Sequence, residues 1–176
     1  METPRIINSF QGGYAFLSTF YEGAPLLFNG LHYQNSEAAY QAGKARFPVM
    51  RLLFINKKPG AAKQLGKRIP IRGDWDQVKA DYMTKVVHAK FTQNPRIAQA
   101  LIETGDTPLE EGNYWHDNFF GNCYCPKCRS IPGENVLGKI LMQERELLKG
   151  RNSGSGWGYQ SNAKPTEREV YGGSVW

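Results

Sequence analysis

Residues 26–46 restrict the fold more than any other part of the chain. Leu26-Leu27-Phe28 and Leu31-His32-Tyr33 are apolar runs separated by Asn29-Gly30, a pair that tolerates the positive φ values a tight hairpin turn demands. The spacing then changes to that of a helix. Asn35 or Ser36 can cap Ser36-Glu37-Ala38-Ala39-Tyr40-Gln41-Ala42-Gly43-Lys44-Ala45-Arg46, a segment made mostly of Ala and straight-chain residues, and a helix over 36–47 is predicted. Glu37, Gln41 and Lys44 fall at i, i+4 and i+7 on one side of it, while Ala38, Ala42 and Ala45 leave a flat side that another backbone can approach.

Around this unit the pattern is mainly helical. Ile6-Ile7 and the stretch from Tyr14 to Tyr21 read as strand from their β-branched and aromatic content. Between Pro48 and Gly73 the chain reads as short helical pieces divided by Pro59, Gly60, Gly66 and Pro70. Trp75, Val78, Tyr82, Val86 and Ala89 recur at helical spacing behind Asp74 as N-cap, predicting a long amphipathic helix over 75–91. Asn94-Pro95 opens another, turning Ile97, Ala98, Leu101 and Ile102 inward and stopping at Gly105. A last helix is predicted over 135–149, with Val136, Leu137, Ile140, Leu141, Leu147 and Leu148 buried and Gly150 closing it. Neither G-x-G-x-x-G nor G-x-x-x-x-G-K-[ST] occurs, and strands do not alternate with helices, which excludes a Rossmann or P-loop site. The expectation is an α+β protein: a mainly helical single domain over 1–150 with a small antiparallel sheet near the N-terminus, then a Gly/Ser-rich extension over 151–176.

Composition sets the setting. With 40% apolar and 22% charged residues the chain has ordinary globular content. It lacks a run of about 18 apolar residues, so no membrane span is expected. Met1-Glu2-Thr3-Pro4-Arg5 does not lead into an apolar signal region. Three cysteines crowded at 123, 125 and 128 cannot all pair, which favours a reducing compartment, and a cytoplasmic location is expected. A net charge of +6 raises the expectation of an anionic partner. Oligomeric state leaves no sequence sign.

Candidate chemical residues each have a bland reading as well. Glu37 in a first helical turn is favoured by the helix dipole alone. Asp74 suits a cap, Trp75 a core, and Lys79 the snorkelling edge of a buried face. Asp117, between His116 and Asn118, suits a turn.

In combination they resemble a known family. Phe16-Leu17-Ser18-Thr19-Phe20-Tyr21, Phe28-Asn29-Gly30 and Ser36-Glu37-Ala38-Ala39-Tyr40-Gln41-Ala42-Gly43-Lys44 look like the opening blocks of the NADAR family of N-glycosidase-like proteins. Ala61-Ala62-Lys63-Gln64-Leu65-Gly66, Arg72-Gly73-Asp74-Trp75-Asp76-Gln77-Val78-Lys79 with Met83, Lys90-Phe91-Thr92-Gln93-Asn94-Pro95, Thr104-Gly105-Asp106, Asp117 to Gly121 and Asn135-Val136-Leu137-Gly138-Lys139-Ile140-Leu141-Met142 follow in the family's order, over about residues 7–149. One departure is visible: the family's Ser-Asn-Phe is here Ser18-Thr19-Phe20, which removes an amide able to donate and accept.

The resemblance implies a hydrolase of the N-glycosidic bond between a phosphorylated ribose and a base nitrogen. The substrate would be a phosphorylated ribosyl small molecule, such as the phosphoribosylaminopyrimidines of riboflavin biosynthesis, or the ADP-ribosylated guanine of a nucleic acid. Departure of the base leaves positive charge on C1′ and the ring oxygen, and a fixed carboxylate stabilises it and orients water. Glu37 is the first choice. Asp117 or Lys79 would assist the leaving nitrogen or the opened sugar, or a lysine amine with a lowered pKa would trap the opened ribose as a Schiff base. Gln41 would bind a ribose hydroxyl, and Lys44 would make that helix face more cationic. Trp75 and Trp115 would stack or wall the pocket, and Arg72 with Lys139 would meet phosphate oxygens. Ser18, Phe20, Tyr40 and Asn135 complete the expected substrate-binding set. No cofactor or metal is implied by the family; the alternative is a structural zinc held by His116, Cys123, Cys125 and Cys128, bracing the loop after Asp117 and leaving the hydrolysis metal-free. The rival from another class is a non-catalytic module binding ADP-ribose or nucleic acid, with the aromatic tail (Trp157, Tyr159, Tyr171 and Trp176) as a stacking platform.

Overall fold

The computed structural model describes residues 5–153. Its strands are β1 (Leu26–Phe28), β2 (Leu31–Tyr33), β3 (Gly112–Asn113) and β4 (Asn122–Cys123). Its α-helices are α1 (Ser36–Ala42), α2 (Pro59–Gly66), α3 (Trp75–Gln93), α4 (Pro95–Glu103) and α5 (Val136–Ser153), and two 3-10 helices cover Gly12–Leu17 and Pro48–Phe54. This is the mainly helical α+β arrangement expected. Among the described residues no helix is long and apolar enough to cross a membrane.

The hairpin forms as read. Asn29 and Gly30 take φ values of 50° and 77°, the left-handed pair of a type I′ turn, and Leu26 pairs with Tyr33 and Phe28 with Leu31. Gln93, the last residue of α3, closes the hairpin's edge: its Oε1 accepts from the Leu27 N–H at 2.7 Å and its Nε2 donates to the Leu27 carbonyl at 2.9 Å. Asn35 caps α1 by accepting the Ala38 N–H at 2.8 Å. Every residue of α1 is buried, so the helix lies inside the molecule with both its apolar and its polar side enclosed.

The helix predicted over 36–47 ends instead at Ala42. Beyond it Ala45 bridges to Ile71, the Arg46 N–H donates to Pro70 and the Arg72 N–H to Lys44, so the pairing of two loops has displaced a further helical turn. Gly43 lets the Tyr82 ring approach, because a Cβ there would lie 2.3 Å from it. The core gathers around α3, whose Trp75, Tyr82, Met83, Val86, Val87 and Phe91 are buried with Leu101 of α4 and Leu137 and Leu141 of α5. The same helix buries Lys90, whose ammonium donates to the carbonyls of Phe16 at 2.6 Å and Ser18 at 2.8 Å. Burial pushes its pKa down to about 7.

Other expectations are corrected. The segment from Tyr14 to Tyr21 is not strand: Tyr14, Ser18 and Tyr21 donate to carbonyls three residues back, and two of its carbonyls are taken by Lys90. Asp74 does not cap α3 with its side chain; it accepts from Arg72 at 2.6 and 2.7 Å. Asn94 donates back to the carbonyls of Lys90 and Pro25 rather than capping α4. Helix α5 passes through Gly150 to Ser153, so residues 151–153 continue the domain's last helix. Leu147 on it is exposed while Leu148 is buried. The rest of the expected extension, 154–176, lies outside the described residues.

Candidate active site

One cavity of about 590 Å³ is lined by residues of α1, α2, α3, β3, α5 and the loops around them. That volume is within the roughly 300–1,000 Å³ usual for small-molecule sites. Helix α1 supplies Glu37, Tyr40 and Gln41, with Lys44 just past its end; the loop after the first 3-10 turn supplies Ser18, Thr19 and Phe20; α2 supplies Lys63; Glu111 stands just before β3, and the loop after β3 supplies Trp115, Asp117 and Phe120.

Glu37 is held at both oxygens. Only 4% exposed, it accepts from the Thr19 hydroxyl at 2.6 Å through Oε2 and from the Gln41 amide at 2.7 Å through Oε1. The second bond is the i, i+4 relation read from the helix. The first gives the family departure a use: Thr19 keeps a donor aimed at the carboxylate where an amide is missing. Gln41 is committed to Glu37 on its N–H side, and its Oε1 packs without a partner against Gly66, where a Cβ would lie 2.0 Å away. Its amide therefore orients the carboxylate at the cavity wall.

Glu111 is the chemical residue that sequence reasoning missed. Burial, with the carboxylates of Asp117 and Glu37 nearby, pushes its pKa up to about 7 against the pull of Lys63, so it holds a proton well above the usual carboxylate range. Its backbone is fixed on both sides: the N–H donates to Asn135 Oδ1 at 3.1 Å and the carbonyl accepts from the Asn122 N–H at 2.9 Å. Asn135, at a φ of 50°, also donates to the Leu109 carbonyl at 2.9 Å. Gly138 permits this approach, since a Cβ there would meet the Leu109 carbonyl at 2.2 Å.

Asp117 forms the expected turn and stands at the cavity. Its Oδ1 accepts the N–H groups of Phe119 at 3.0 Å and Phe120 at 2.9 Å, closing a turn, and the same residue lines the cavity.

Cations and rings surround these carboxyls. Lys44 lies 5.8 Å from the Tyr40 ring centre; burial holds its pKa below the usual lysine value, Glu37 opposes that, and the charges of Lys63, Lys67 and Lys79 add to it. Lys63 Nζ sits 5.4 Å from the Phe20 ring and 5.9 Å from the Trp115 ring. Those rings are 42% and 57% exposed respectively, leaving their faces available for stacking. Burial, then the charges of Glu37, Asp117 and Asp76, push the Tyr40 hydroxyl above the usual phenol range.

Five expected residues stand outside the cavity lining. Arg72 is paired with Asp74. Trp75 is buried behind Tyr40, at 5.2 Å between ring centres, as the core reading had it. Lys79 lies 4.3 Å over the Phe119 ring and pairs with Asp76 at 3.0 Å. Asn135 braces Glu111, and Lys139 is exposed on α5. Lys63, rather than Arg72 or Lys139, stands at the cavity; its only sequence sign was the block from Ala61 to Gly66. His116, Cys123, Cys125 and Cys128 converge beside the cavity, with their ligand atoms within 4.8 Å of one another.

Three carboxyls converging on a lysine-rimmed, aromatic-flanked cavity define a small α+β domain able to hold an anionic, ring-bearing ligand against acid and base groups. Its family follows from comparison. Residues 8–149 match the NADAR domain, and the chain belongs to that family. An N-glycosidase of Nostoc punctiforme is 34% identical over 132 residues, covering 69% of this chain and 81% of the relative. A riboflavin biosynthesis protein of Vibrio vulnificus is 31% identical over 158 residues, covering 85% of this chain but 40% of that longer protein. The solution NMR structure of the Escherichia coli protein YbiA superposes with a TM-score of 0.72 at 26% identity, covering 90% of this chain and 94% of that one.

Proposed function

We propose that the chain is an N-glycosidase that hydrolyses the bond between a phosphorylated ribose and a base nitrogen, acting on a phosphoribosyl small molecule. The relatives named N-glycosidase and riboflavin biosynthesis protein support this class of reaction and substrate. The observation that carries it within the site is the pairing of a carboxylate held at both oxygens, Glu37, with a carboxyl group that keeps its proton near neutrality, Glu111. A carboxyl that keeps its proton, facing a second carboxyl across the cavity, suits the acid-assisted cleavage of a glycosidic bond.

In this reading Glu111 gives its proton to the leaving nitrogen, so the base departs neutral as the C1′–N bond breaks. Glu37 faces the cationic C1′ and takes a proton from water as the water oxygen bonds to C1′. Asp117 raises the proton affinity of Glu111 through its charge. Lys44 and Lys63 meet the phosphate oxygens, and Phe20 and Trp115 stack on the base. The expected ADP-ribosylated nucleic acid is the alternative substrate, since it shares the ribose, the phosphate and the breaking bond.

Incubation with a phosphoribosylaminopyrimidine and, separately, with ADP-ribosylated guanine DNA discriminates. Release of base from the first is the expected result, and release from the DNA alone would move the assignment to nucleic acid. Tight binding of ADP-ribose with no product from either would make the protein the non-catalytic module. Glu37→Gln is expected to keep the fold and abolish turnover; a fully active variant would remove Glu37 from the mechanism.

A further inference from the structure

We propose that His116, Cys123, Cys125 and Cys128 bind one zinc ion, a structural site that braces the loop carrying Trp115 and Asp117. The four ligand atoms lie within 4.8 Å of one another, and His116 Nδ1 is 3.3 Å from both Cys125 Sγ and Cys128 Sγ. Zinc bonds of about 2.3 Å to sulfur and 2.0–2.1 Å to nitrogen, at tetrahedral angles, place ligand atoms roughly 3.5–3.8 Å apart. Small shifts close the set around an ion.

The backbone is arranged for ligation. His116 stands at a φ of 69°, in the left-handed region that a residue with a Cβ occupies at a cost. There its backbone N–H donates to Cys123 Sγ at 3.3 Å while its ring faces the other two sulfurs. The N–H groups of Cys128 and Arg129 both donate to the Cys125 carbonyl, at 3.0 and 2.9 Å, winding Cys125-Pro126-Lys127-Cys128 into a turn that puts both sulfurs on one side. A disulfide between any two cysteines would leave the third thiol and the imidazole in contact with it, so cross-linking does not account for the foursome. Three thiolates and an imidazole suit zinc and leave no open position, which makes the site structural.

Its place in the fold gives it a task. Cys123 lies on β4, which pairs with β3 immediately after Glu111, and His116 lies between Trp115 and Asp117. A metal joining these points makes the short parallel pair and the cavity-lining loop one unit.

Protein purified under reducing conditions without chelator, then assayed by elemental mass spectrometry, is expected to carry one zinc per chain. After chelation it should take up one equivalent of Co(II) with the visible absorption of a tetrahedral thiolate complex, displaced by zinc. Cys125→Ser combined with Cys128→Ser should abolish both. Because the cobalt titration uses the wild-type chain, failure of the variant to fold does not decide the outcome. Zinc-free wild type that takes up neither metal while all three thiols are free, or a double variant that still binds one zinc, would overturn the site. Metal content is read independently of glycosidase activity.

Discussion

Replacing Glu111 by glutamine should raise stability while removing activity, and pH separates this from an ordinary packing effect. The Glu111 carboxyl moves from an ordinary 4.5 to about 7 in the folded protein. Between these values the native state holds a proton that the unfolded chain has released. The contribution of Glu111 is therefore fully present below pH 4.5 and is lost as pH rises through 7. At 1.36 kcal/mol per unit the loss has a ceiling of about 3 kcal/mol, and water in the cavity lowers it. Glutamine keeps the shape and cannot ionise. The variant's melting temperature should match the wild type near pH 4.5 and exceed it at pH 8, by about 6–12 °C at the ceiling for a chain of this size. Activity should move oppositely. Wild-type kcat/KM should fall above pH 7 as the proton donor is lost; in the variant it should drop by roughly 10²–10⁴-fold and lose that alkaline limb. Melting scans at pH 4.5, 6 and 8 with pH–rate profiles of both proteins test this. A stability gap independent of pH, or an alkaline limb surviving in the variant, refutes the reasoning.

The buried Lys90 works in the other direction. With a folded pKa of about 7 against an ordinary 10.5, the native state sheds a proton that the unfolded chain keeps, so wild-type urea midpoints should rise between pH 7 and 10. Lys90→Met should flatten that slope, and a slope unchanged in the variant would count against the assignment. Thr19→Val removes the hydroxyl that donates to Glu37 at 2.6 Å; kcat should fall roughly 10- to 100-fold, the size of one net hydrogen bond to a charged group, with KM changed far less. Thr19→Ser should restore kcat, and equal losses in both variants would point to packing.

What could be read from the sequence was whatever neighbours encode. Asn29-Gly30 sets its own turn, Asn35 caps the helix that begins beside it, and Glu37 and Gln41 meet because a helix brings i and i+4 together. Where the deciding partner is far away, the same rules mislead. The aromatics of Tyr14 to Tyr21 suggested a strand, yet the segment's carbonyls are claimed by Lys90 from 72 and 74 residues away. Glu110 and Glu111 are chemically identical neighbours. Glu110 takes the Tyr124 hydroxyl, while Glu111 is turned into the cavity. That difference depends on Asn135, 24 residues on, and on Gly138, whose missing Cβ admits the Leu109 carbonyl. The acid–base asymmetry of the site is thus a property of assembly. A carboxyl set by a local helix becomes useful when a second, on an unremarkable loop, is buried beside it, where desolvation first and then the charges of Asp117 and Glu37 keep a proton on it.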